Sequence, residues 1–161
     1  MYRRLRTDLV KGLSKVKLLL INSDSFTADT SGCGDCKAGI NELRKIGVQT
    51  VSFSIEGNET GDGNNNLTDE HISREQIENK EFFDNLLEQL NINPSNIALY
   101  CYNKKDIEVF REVKMTLTSQ DVELDLKKNC YYVSNYSYMG ALSEIFNLIK
   151  MAKQFPGGIS P

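Results

Sequence analysis

Histidine is nearly absent from this 161-residue chain, and proline and cysteine are sparse, with one, three and four copies respectively. The single histidine, His71, lies beside a polar stretch, so a Ser-His-Asp or Cys-His nucleophile has no base to work with. No apolar run approaches the roughly 20 residues of a membrane helix, and the basic start lacks the apolar centre and cleavage site of a signal peptide. No GxxxxGK loop occurs, which removes the common nucleotide-phosphate cradle. A net charge of -3 gives no field to draw in nucleic acid, although Arg3, Arg4, Arg6 and Lys11 make the first dozen residues basic. The expectation is a protein of a reducing, cytoplasmic compartment, with neither nucleic acid nor membrane as partner. Four cysteines do not make a disulfide framework where 40% of residues are hydrophobic and one core can form. Cys101 and Cys130 lie in apolar segments, where a reduced thiol packs as a small hydrophobe.

What is present alternates. Apolar runs at 15–22, 48–54, 96–102 and, more weakly, 130–134 read as strands, with a short one at 114–118. Helical patterns fall at 35–46, 80–90, 104–112 and 139–152. Strand and helix in alternation give a parallel sheet covered on both faces, a three-layer α/β fold. Gly47 and Pro94 punctuate the ends of two helices. Residues 1–14 carry Leu5, Leu9, Val10 and Leu13 at helical spacing and read as a leading amphipathic helix, packed on the sheet or left from a linker. The domain proper is expected over 15–152, with a flexible Gly/Pro tail at 153–161. The stretch 56–70, rich in Gly and Asn, reads as a mobile surface loop without the ligand spacing of an EF-hand.

In open parallel sheets, ligands sit beyond the carboxyl ends of the strands. After the first strand come Asn22, Ser23 and Asp24; after the second, Ser54; Lys80 opens a helix; and after the third come Tyr102, Asn103 and Asp106. This order resembles the haloacid dehalogenase superfamily, and within it the capless 3-deoxy-octulosonate (KDO) phosphatase branch, which also supplies the C-terminal domain of CMP-sialic acid synthetases. The likeness spans Val16 to about Lys150. The first family motif, Asp-x-Asp-Gly-x-x-Thr-Asp, stands here as Asn22-Ser23-Asp24-Ser25-Phe26-Thr27-Ala28-Asp29. Ser54 and Lys80 match the second and third motifs. The fourth, Gly-Asp-Asp-x-x-Asp, becomes Cys101-Tyr102-Asn103-Lys104-Lys105-Asp106, and Gly140, Ala141 and Glu144 persist from a terminal Gly-Gly-x-Gly-Ala-x-x-Glu.

The resemblance implies a Rossmann-like fold with no large cap domain and assigns roles by position. Asn22 stands where the nucleophilic Asp belongs, and an amide is a very poor nucleophile. Asp24 holds the general acid/base position and, with Asp106, a weakened magnesium site, since Tyr102 and Asn103 replace carboxylates at metal-ligand positions. Ser54 and Lys80 retain the phosphate-binding positions. The expectation is a catalytically impaired phosphatase-like domain, with no cofactor unless residual activity recruits Mg2+. A phosphorylated or sugar-acid ligand, a homo-oligomer, or fusion to a synthetase domain are its candidate partners. The alternative is a working magnesium-dependent phosphatase for a sugar-acid phosphate. The branch's tetramer-building hairpin after the first motif is reduced to "TSGCG", so a tetramer by that route is not expected, and the exposed apolar first helix is a candidate dimer surface. A second alternative rests on Cys33 and Cys36, a CxxC pair between strand and helix, where a helix N-terminus favours a thiolate. Zinc lacks further ligands at suitable spacing, and no proline is placed for thioredoxin chemistry.

Overall fold

A run of Leu18, Leu19, Leu20 and Ile21 with no polar break has to be buried on both sides, and in the computed structural model all four have no exposed surface. The structure describes residues 7–22, 34–53, 70–136 and 138–154. In chain order these form α1 (Thr7–Ser14), β1 (Leu18–Asn22), α2 (Gly34–Lys45), β2 (Gln49–Phe53), β3 (Glu70–Ile72), α3 (Arg74–Glu78) and α4 (Lys80–Leu90). A 3-10 turn at Pro94–Asn96 leads into β4 (Ile97–Tyr100), followed by α5 (Lys104–Val109), β5 (Met115–Thr118), α6 (Leu124–Asn129), β6 (Tyr132–Val133) and α7 (Tyr138–Gln154). Six parallel strands stand in the order β3-β2-β1-β4-β5-β6.

Alternation along β1 divides the core. Leu19 and Ile21 join α1, α2 and α7 through Leu9, Leu13, Ile40, Leu43, Ile145 and Ile149. Leu18 and Leu20 face the opposite way, with Phe53, Leu87, Leu99, Phe110 and Leu126. Successive side chains of a strand point to opposite faces, so one continuous apolar strand serves two layers. The expected three-layer α/β architecture is the one observed.

Some sequence expectations need correction. Residues 56–69 lie outside the described residues, but Glu70, assigned to the polar loop, begins β3 at the sheet edge, paired from Val51 to Phe53 with β2. The short helices α3 and α6 were not foreseen. α3 is set by Ser73, whose hydroxyl accepts from Gln76 N at 3.3 Å while Gln76 Oε1 accepts from Ser73 N at 3.0 Å, a reciprocal capping box. The leading helix is no exposed dimer surface: Leu9, Val10 and Leu13 are 1%, 4% and 1% exposed, because α1 packs along α7. α5 ends at Val109 rather than 112, with Phe110 turned into the core, and α7 continues to Gln154, past the expected boundary at 152. Most of the shortened segment after the first motif, and residues 155–161, fall outside the described residues. Gly47 adopts φ 88 after α2, and Asn91 takes the left-handed conformation (φ 56) after α4, as helix stops require.

Candidate functional site

Strand order reverses between β1 and β4, and that switch point is where an open α/β sheet forms its ligand crevice. Asn22, the last residue of β1, and Asp106, in the first turn of α5 after β4, meet there. Both are fully buried. The Asn22 side-chain amide donates to both carboxylate oxygens of Asp106, at 2.8 Å to Oδ1 and 3.0 Å to Oδ2. The backbone N–H groups of Tyr102 and Asn103 add donors to Oδ2 at 2.7 and 3.1 Å. A buried carboxylate is tolerable only when its oxygens are filled by donors, and here backbone and amide N–H groups do the filling.

Other expected members separate around this pair. Tyr102 is 42% exposed. Asn103 is half-buried, and its Oδ1 is buried without a hydrogen-bond partner among the described residues. Lys80 is exposed at the start of α4, behind Asn79, whose Oδ1 caps the helix by accepting from Glu81 N and Phe82 N at 3.1 and 3.3 Å. It lines a groove of about 320 Å³ between α4 and α5, floored by Ile77, Phe83 and Phe110 and edged by Asp84 and Arg111. Among the described residues, no hydrogen bond joins Lys80 to the Asn22–Asp106 pair. Asp24, Ser54 and Cys33 lie outside the described residues, and only the backbone of Cys36 and His71 is described, so the CxxC pair and the acid/base position are not located. From the terminal motif, Ala141 is core, and Glu144 accepts from the Tyr132 hydroxyl at 2.9 Å.

Sequence reasoning missed two pairings. It placed Asn22 and Asp106 at one site but treated them as a failed nucleophile and a weak metal ligand, not as partners. It also treated Cys101 and Cys130 as separate hydrophobes. Both are free, the Cys101 thiol donates to Leu99 O at 3.8 Å, and Cys130 packs against the apolar cluster that holds Cys101. The neighbouring Cys130 thiol and burial push the Cys101 thiol well up, whereas Cys101 draws the Cys130 thiol down against the opposing effect of burial. No cluster of three or more His, Cys, Asp or Glu suited to a metal occurs among the described residues.

Neither a family model nor a curated protein matches the chain. Solved structures do. The KDO 8-phosphate phosphatase of Yersinia pestis superposes with a TM-score of 0.79 at 18% identity, covering 98% of this chain and 94% of that one. The chain has the haloacid dehalogenase fold. A Moraxella catarrhalis KDO 8-phosphate phosphatase, in complex with magnesium, phosphate and KDO, gives 0.76 at 16% identity over 94% and 95% of the two chains. The cobalt-bound Haemophilus influenzae phosphatase gives 0.75 at 15% over 90% and 93%. In all three superpositions at least nine-tenths of each chain is covered.

Proposed function

We propose that this chain is a degenerate relative of the KDO 8-phosphate phosphatases that keeps the scaffold without the turnover. The observation that carries this reading is the Asn22 amide seated against both oxygens of Asp106. Phosphoryl transfer in this fold would need a carboxylate at the end of β1, and an uncharged amide cannot form the acyl phosphate. A divalent cation also fits these residues poorly. Magnesium wants anionic or carbonyl oxygens in octahedral array, whereas the Asp106 oxygens face N–H donors and the neighbouring carboxylate positions hold Tyr102 and Asn103. The amide supplies to Asp106 the positive end of a dipole where the family would supply a metal. The remaining role is structural or regulatory: holding a phosphorylated or sugar-acid ligand through the motif residues Ser54 and Lys80, or making oligomer contacts. The ligand class is suggested by the phosphate and KDO bound to the Moraxella protein.

A second reading is favoured by the structural neighbours, which are phosphatases: a magnesium-dependent phosphatase using Asp24 and Asp106 with a displaced nucleophile. One assay separates the two. The parent protein and its Asn22→Asp variant are incubated with para-nitrophenyl phosphate and magnesium, with and without chelator. The expected result is no chelator-sensitive turnover by the parent. Turnover by the parent that a chelator abolishes overturns the proposal. An inactive Asn22→Asp variant would add that Tyr102 and Asn103 disable the site independently.

A further inference from the structure

The groove of about 320 Å³ between α4 and α5 lies apart from the switch-point pair, since neither Asn22 nor Asp106 lines it. Its floor is held by aromatic packing. Phe110 is buried and wedged between Phe53 and Phe83, with ring centroids 4.8 and 5.2 Å away in edge-on arrangements. These contacts fix the rings, so the floor stands ready before anything binds. Val109, the last residue of α5, lines the same groove and keeps 42% of its surface exposed, an apolar side chain that the described residues leave uncovered.

The rim is charged and unbalanced. Glu78 and Asp84 edge it from α3 and α4, Glu108 and Glu112 from α5 and the turn after it, and all four are exposed. Among the described residues only Lys80 and Arg111 line it as cations, so four carboxylates face two positive charges. The cavity is at the lower end of small-molecule sites, about 300–1,000 Å³, and takes one ring or short chain rather than the face of a helix. A single exposed ion pair is worth little, but the excess of one sign discriminates between an ammonium and a carboxylate on the same body. The ring quadrupoles of an aromatic floor favour the same sign of ligand charge.

We propose that the α4–α5 groove binds a small organic cation, an aromatic or aliphatic body with one ammonium group, the body on the Phe83 and Phe110 floor and the ammonium at the carboxylate rim. The test uses the full chain and three probes that share a ring and differ in charge: naphthylmethylamine, naphthylmethanol and naphthylacetate. The chain has no tryptophan, so the fluorescence anisotropy of the naphthalene ring reads binding directly. The expected order of affinity is amine, then alcohol, then acetate, with added salt weakening the amine most. Combining Asp84→Asn, Glu108→Gln and Glu112→Gln should cost the amine about two- to fivefold per charge removed and bring the acetate closer to it. Val109→Arg, at an exposed position where the fold is checked by circular dichroism, should weaken the amine through bulk and charge in the groove itself. An amine that gives no saturable anisotropy change, or binds no tighter than the alcohol, overturns the proposal. So does tighter binding of the acetate by the parent, which would show Lys80 and Arg111 dominating, or an amine affinity that neither the triple variant nor Val109→Arg alters.

Discussion

Replacing Asn22 by Asp converts a donor into a second acceptor at the most enclosed point of the crevice. In the parent, one amide nitrogen lies 2.8 and 3.0 Å from the two Asp106 oxygens, and neither residue touches solvent. The variant loses hydrogen bonds to a charged group, worth about 1.5–3 kcal/mol. Two carboxylates about 4 Å apart at an effective dielectric constant of ~20 repel by ~4 kcal/mol. The molecule escapes by keeping one carboxyl protonated, but holding a pKa about three units above its usual place costs ~4 kcal/mol at neutral pH. The routes are of similar cost, so metal-free Asn22→Asp is expected to lose ~4 kcal/mol, or about 8–16 °C in Tm at this chain length. The sign with pH follows from the raised folded-state pKa. The unfolded chain releases the proton first, so the penalty grows as pH rises above the unfolded value, and lowering pH from 7 to 5 returns ~2 kcal/mol. Magnesium should substitute for the proton: at a concentration of about 100 times Kd it returns ~2.7 kcal/mol to the variant and nothing to the parent. Thermal denaturation of both proteins at pH 5 and pH 7, with magnesium or chelator, reads each quantity. A parent whose Tm rises with magnesium as much as the variant's, or a variant as stable as the parent in chelator at pH 7, refutes the assignment of Asn22 as the partner of Asp106.

Gly39 sits on α2 where an added Cβ would stand 2.4 Å from Phe146 Cδ2, so Gly39→Ala should lower the urea midpoint. The overpacking cost of about 1–3 kcal/mol exceeds the ~1 kcal/mol that alanine gains in helix propensity, and Phe146→Leu in the same chain should restore part of the loss. Leu13→Ala should cost about 2–5 kcal/mol in equilibrium unfolding, because Leu13 is 1% exposed between α1 and the sheet; a loss under half a kcal/mol would return α1 to the status of an appendage. On the surface, Glu42 is held below the ordinary glutamate range first by its hydrogen bond to Lys150 and then by that residue's charge. Its carboxyl resonance should therefore titrate low and move up in Lys150→Ala or in high salt, and the pair's small contribution to stability is present above the unfolded pKa and fades as pH falls through the folded one.

Elements that bury a long periodic face were legible in the sequence, and elements defined by tertiary pairing were not. β1 and β4 announce themselves because four or five consecutive apolar residues admit no exposed face. β3 is three residues long, and its strand character comes from pairing with Val51 to Phe53, which leaves no local pattern to read. α1 showed its stripe but not its partner, because nothing local specifies that α7 covers it. The site follows the same rule. Motif order brought Asn22 and Asp106 to one crevice across 84 positions of sequence, but only the geometry shows an amide bridging both oxygens of a buried carboxylate. A change from Asp to Asn at the end of β1 reads in sequence as a loss of charge. In the fold it is also a gain of a donor, which satisfies a buried acid that would otherwise need a cation or a proton. An Asn at the end of β1 thus offers the buried acid a donor, and its replacement by Asp is opposed by the electrostatics of that neighbour.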